Sequence, residues 1–162
     1  MSKLLLERKR RNMGLATVGK QYKVLFRLEQ DEDGYPPNEW ESLWATRDIR
    51  GFFIIDNIPF FVNGISCGDT VVAIERDGIY YFESIEKESG NSVLRVIVFE
   101  QKDVSDLREN LRGLGCESEQ SHIPQLISIE VPESVSLDDV LAYLDEGESD
   151  GRWEYETASL RA

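Results

Sequence analysis

The stretch "GDTVVAIERDGIYYFE", Gly68–Glu83, decides how the first half of this chain folds. Gly68-Asp69 opens a strand that runs to Arg76, Asp77-Gly78 supplies a two-residue turn, and Ile79–Glu86 returns. An Asp-Gly pair between runs of β-branched and aromatic residues is a strong hairpin signal, because a tight mirror-image turn needs positive φ at both central positions. Upstream, "GFFIID" (Gly51–Asp56) reads as another strand, and "EWESLWATR" (Glu39–Arg47) as one with Trp40 and Trp44 on one face and Glu41, Leu43 and Ala45 on the other. Tyr22, Val24, Phe26 and Leu28 alternate with polar Lys23, Arg27 and Glu29, the period of a half-buried strand. "DEDGYPPN" (Asp31–Asn38) is a turn, since its two prolines cannot donate ladder hydrogen bonds. Five short strands with tight connections predict a small antiparallel β-barrel or sandwich over residues 21–90.

Downstream of the polar "EKESGNS" (Glu86–Ser92) the pattern changes. "SVLRVIVFE" is a strand whose Val96, Ile97 and Val98 imply a central position, buried on both faces. "DVSDLRENLRGLG" is a helix with Asp103 as N-cap, a stripe of Val104, Leu107, Leu111 and Leu114, and Gly113 and Gly115 at its end. "CESEQS" is an edge-like strand and "PQLISIEVP" a stronger one. "SLDDVLAYLDEG" is a second helix, capped by Ser136 and stopped by Gly147, and "RWEYETASL" is the last strand. This strand–helix–strand–strand–helix–strand order predicts a ferredoxin-like βαββαβ half over residues 91–162. The fold class is therefore α+β, preceded by a basic arm at residues 1–20 that is expected to be disordered apart from one helical turn.

Charge narrows the partners. Residues 1–20 carry six Lys/Arg against Glu7, a net +5, whereas residues 21–162 carry twelve basic and thirty acidic residues, a net −18, which together give −13. So acidic a body repels nucleic-acid phosphates and attracts basic proteins, accelerating their association. No apolar run is long enough to span a bilayer or form a signal-peptide core, so no membrane partner and a cytoplasmic location are expected.

Motifs for catalysis are missing. His122, the sole histidine, sits in "SHIPQ" with no nucleophile motif near any serine or cysteine, and reads as a surface residue. Cys67 and Cys116 lack the close-spaced pairs of a zinc site and read as small buried residues in a reducing compartment. The "GLG" at Gly113–Gly115 ends a helix, the wrong end for a phosphate. The sequence calls for no cofactor, no metal and no catalytic set.

One segment could hold a site. In "FFIIDNIPFFVNG" (Phe52–Gly64), Asp56-Asn57 interrupts an apolar run and Pro59 follows, which reads as a corner where a strand ends. Phe60 and Phe61 are then placed to plug a barrel end or the seam with the second half.

Three strings carry a resemblance: "KVLFRLEQDEDGYPPNEWESLWA" (Lys23–Ala45), "DNIPFF" (Asp56–Phe61) and "GDTVVAIERDGIYYFE" (Gly68–Glu83). Together they resemble a bacterial family, domain of unknown function 4265, over roughly residues 20–160. Its Asn-x-Pro-Phe is matched by Asn57, Pro59 and Phe60, and its Gly-Asp-x-Val by Gly68, Asp69 and Val71. The resemblance implies no activity.

The residues support three readings. The first is a non-catalytic acidic binding protein that sequesters a basic partner, such as an immunity protein neutralising a bacterial toxin domain. The second is a small-ligand or peptide-binding regulatory module, suggested by Trp40, Trp44, Phe52, Phe53, Phe60 and Phe61. The third is a hydrolase using carboxylates such as Glu41, Asp56 and Asp69. Glu41, Trp44, Asp56, Asn57, Pro59, Phe60 and Asp69 are the candidate partner- or ligand-binding residues.

Overall fold

A computed structural model describes residues 20–161. The arm at residues 1–19, with its expected helical turn, lies outside the described residues. The chain divides into two compact units, the first ending at Ser89 and the second beginning at Gly90.

The first unit is a closed five-stranded barrel in sequence order: β1 (Gln21–Arg27), β2 (Trp40–Arg47), β3 (Phe53–Ile55), β4 (Thr70–Arg76) and β5 (Ile79–Lys87). Consecutive strands pair antiparallel, and the barrel closes through a short parallel pairing of β1 with β5, Val24 opposite Tyr80 and Leu25 opposite Tyr81. The β4–β5 turn takes the predicted form, with φ of 52° at Asp77 and 82° at Gly78. Alternation sends Val24, Phe26, Leu43, Ala45, Phe53 and Val71 inward, and all are buried. Rings fill the interior tightly, Phe26 stacking on Phe82 with centroids 4.7 Å apart.

The second unit is a four-stranded sheet in the order β7-β8-β6-β9, antiparallel throughout, with two helices. Its strands are β6 (Ser92–Val98), β7 (Glu117–Gln120), β8 (Leu126–Val131) and β9 (Trp153–Ser159). Helix α1 (Val104–Gly113) joins β6 to β7, and α2 (Leu137–Ser149) joins β8 to β9. The expected central strand is β6, buried at every position but Ile97, and its neighbour β8 is buried along its whole length. Leu94, Val96, Leu107, Leu111, Ile127 and Leu144 belong to one core cluster, with Trp153 among them.

Three local expectations are corrected. A 3-10 turn, Gln101–Asp103, precedes α1, so Asp103 already has helical backbone (φ −85°, ψ −9°) and its carboxylate makes no capping bond. Leu114 lies beyond the last turn of α1 and is 36% exposed instead of joining the buried stripe. Gly147 does not stop α2, which runs to Ser149. Glycine is needed at 147 because the Trp153 indole occupies the space where a side chain would sit, and it is Gly151, at φ 73°, that turns the chain out. Ser136 does cap α2, its hydroxyl accepting the Asp139 N–H at 3.2 Å.

Candidate functional site

The segment between β3 and β4 wraps the first unit, and it gathers most of the candidate residues around two carboxylates. Glu41 lies on the inward face of β2, opposite Phe26, near one end of the barrel. Its Oε2 accepts the Phe60 N–H at 2.8 Å, and its Oε1 accepts those of Phe61 at 3.1 Å and Val62 at 2.9 Å. Three successive amides thus converge on one charge, which fixes the post-Pro59 turn against β2. Phe61 packs against the barrel core and Phe60 is half-buried.

Asn57 continues the β2–β3 ladder after β3 has ended. Its side-chain oxygen accepts the Trp44 N–H, while the Asp56 N–H donates to the Trp44 carbonyl at 2.8 Å. An Asn side chain standing in for a backbone carbonyl satisfies β2 where the main chain turns away toward buried Pro59. Asp56 itself is 5% exposed.

Asp69 is the second hub. Fully buried, it accepts the Ser66 N–H through Oδ2 and the Ser89 N–H through Oδ1, each at 2.9 Å. Its main chain also pairs with β3, the Ile55 N–H donating to the Asp69 carbonyl at 2.9 Å and the Gly68 N–H to the Ile55 carbonyl at 2.7 Å. Gly68 is at φ 88°, a conformation that disfavours any side chain. Cys67 is buried against the same strand, its thiol 3.6 Å from the Ile55 carbonyl.

The structure therefore ties Glu41 to Phe60, and Trp44 to Asp56 and Asn57, while Asp69 holds a separate knot. Ser66 and Ser89, which contribute backbone donors to that knot, escaped sequence reasoning because a main-chain N–H leaves no residue signature. The opposite end of β2 carries Arg47, whose guanidinium lies 4.9 Å from the Phe53 ring centroid and 5.6 Å from that of Tyr80.

Other titratable groups are dispersed. His122 is exposed in a loop, and among the described residues no three His, Cys, Asp or Glu side chains are placed to hold a metal ion. Cys116 is buried in the second unit, where burial, followed by the nearby Glu130 charge, pushes its thiol up to about 11. The acidic residues concentrate on α2 and β9. Asp138, Asp139, Asp145, Glu146 and Glu148 lie on α2 without a single Lys or Arg, and Asp150, Glu154 and Glu156 follow. All eight are exposed. The Tyr155 hydroxyl donates to Asp145, and that bond, aided by desolvation and the Asp145 and Glu148 charges, raises its pKa to about 12.

Among the described residues no helix is long and apolar enough to cross a membrane. The search of curated proteins found no match. A crystal structure of a hypothetical protein from Neisseria gonorrhoeae superposes with a TM-score of 0.74 at 20% identity, covering 91% of this chain and 99% of that one. That likeness shows a shared fold. Residues 41–155, from the Glu41 hub into β9, match the family described as a domain of unknown function (DUF4265), and the chain belongs to that family.

Proposed function

We propose that this chain is a non-catalytic acidic binding protein that sequesters a basic protein, in the manner of a cytoplasmic immunity protein neutralising a bacterial toxin domain. The observation that carries the reading is the distribution of charge. Described residues 20–161 hold thirteen Lys/Arg against thirty Asp/Glu, a net −17, and six of the carboxylates, Asp138, Asp139, Asp145, Glu146, Glu148 and Asp150, lie on α2 or just past its end. Such a field speeds the encounter with a cationic surface. Engagement of Glu41 and Asp69 by backbone amides supports a structural role for them over acid–base chemistry. The second unit is read as ferredoxin-like, supported by the β7-β8-β6-β9 order with a helix after its first and third strands.

Affinity capture from the native host at low salt tests the reading. A basic protein should be retained, should elute as ionic strength rises, and should associate at least about tenfold more slowly with Asp138→Lys/Asp139→Lys/Glu146→Lys. Recovery of no basic partner, or of one indifferent to those charges, would refute it.

A further inference from the structure

The outer face of the barrel departs from the rest of the molecule in composition. Directly opposed residues of neighbouring strands share a face, so the register Lys23 with Trp44, Arg27 with Trp40, and Leu25 with both Ser42 and Tyr81 places these side chains together outside β1, β2 and β5. Ile74 opposite Tyr81 and Arg76 opposite Ile79 extend the face onto β4. Three cations lie against three rings: Lys23 Nζ is 5.0 Å from the Trp44 centroid, Arg27 Cζ 5.6 Å from that of Trp40, and Arg76 Cζ 5.8 Å from that of Tyr81. Trp40 and Tyr81 meet edge to face at 5.5 Å, which joins two of the pairs into one row. The face is open: Trp40 is 39% exposed, Ile74 40% and Ile79 42%, and Lys23, Arg27 and Arg76 are exposed beside them. Glu29, two residues beyond Arg27 on the same side of β1, and Glu83 are its acidic members, both exposed.

We propose that this face docks an acidic polypeptide segment bearing apolar side chains, on a surface separate from the acidic one above. Charge complementarity selects the occupant. Lys23, Arg27 and Arg76 outnumber Glu29 and Glu83 on a chain whose overall charge is −13, so the face carries a local excess of positive charge. The basic arm of the same chain, with Lys3, Arg8, Lys9, Arg10 and Arg11, has the wrong sign to occupy it. Each ring already holds a cation close to it, which restrains the flexible Lys and Arg stems and presents their heads to an incoming carboxylate with less ordering cost. The same arrangement disfavours single-stranded nucleic acid. Bases would have to displace those cations to stack. Leu25, Ile74 and Ile79 supply apolar area between the cations.

A random twelve-residue peptide library displayed on phage, panned on the full chain, tests the proposal. Selected peptides should be enriched in Asp and Glu together with apolar residues. Their affinity should fall at least about tenfold in Arg27→Glu/Arg76→Glu, with the melting temperature unchanged, and should weaken as salt rises. Failure to enrich acidic peptides, or acidic peptides that bind the variant equally well, would overturn it. Enrichment of basic peptides alone would also overturn it, while leaving the acidic-surface reading standing. Two further results would sink it: tight binding of a twelve-nucleotide oligo-dT lost in the variant, or concentration-dependent dimerisation lost in the variant, which would assign the face to nucleic acid or to a second copy.

Discussion

The carboxylate of buried Asp69 accepts the backbone N–H of Ser89, twenty residues later in the chain, at 2.9 Å. Ser89 lies just past the end of β5, and the Ser89 hydroxyl donates in return to the Cys67 carbonyl at 2.9 Å. Both ends of the β4–β5 hairpin are thus tied at one point. Asp69→Ala should destabilise the first unit by about 3 kcal/mol, since it orphans buried amides as well as removing charge-assisted bonds. Asp69→Asn should cost less, because an amide oxygen still accepts one of them. Urea unfolding followed by tryptophan fluorescence checks both, and an unchanged midpoint for the alanine variant would exclude the knot.

Asn57 makes a parallel case at the neighbouring corner. Removing its side-chain oxygen leaves the Trp44 N–H without its acceptor, so Asn57→Ala should cost roughly 1–3 kcal/mol. The loss should register in unfolding while peptide binding at the outer face is retained. Unchanged stability with lost binding would move Asn57 from the fold to a partner site.

Gly147 and Trp153 make the sharpest packing prediction. A Cβ on Gly147 would fall 1.9 Å from Cζ2 of Trp153, whose indole N–H is anchored to the Leu144 carbonyl at 3.0 Å. Alanine has the higher helix propensity, yet Gly147→Ala should destabilise by about 3 kcal/mol because the ring cannot retreat. A lowered melting temperature and an altered near-ultraviolet circular dichroism band would register the displacement. A more stable variant would contradict the packing.

Cys116 gives a pH dependence with a definite sign. Its thiol titrates at about 11 in the folded chain against an ordinary 9.0, so the native state holds the proton more tightly than the unfolded one. Stability from this group is complete below pH 9 and is lost as pH rises toward 11, about 2–3 kcal/mol in all. Wild type should therefore lose more stability between pH 9 and 11 than Cys116→Ala, whose side chain does not titrate. Equal losses would refute the assignment.

Strand existence and direction were readable from alternation in the first unit, because each barrel strand buries one face and wets the other. The Asp77-Gly78 turn was readable because its backbone geometry admits few residues. Helix ends were less so: Gly147 looks like a stop in one dimension, and only the approach of Trp153 from β9 explains a glycine inside the helix. Asp56, Asn57, Pro59 and Phe60 stand out in sequence by their break in an apolar run, whereas Glu41 and Asp69 stand out only as carboxylates and Trp44 only as an aromatic. Their partners are mostly main-chain amides of Phe60, Phe61, Val62, Ser66 and Ser89, which no composition reveals. In sequence Lys23, Arg27 and Arg76 read only as the wet sides of their strands. Polar residues on the wet side of a strand are ordinary, and only cross-strand register brings them to tryptophan and tyrosine.

A meander with an odd number of strands must bring its first and last strands together pointing the same way. The seam between β1 and β5 is therefore parallel, and it is short, joining Val24 to Tyr80 across 56 positions of sequence. Such a closure carries the largest loop entropy in the first unit and only two registered pairs to offset it, so it should form last as the barrel folds and part first when it breathes. Amide hydrogen exchange should be fastest along that seam, and the row of rings and cations that straddles it would flex with each opening.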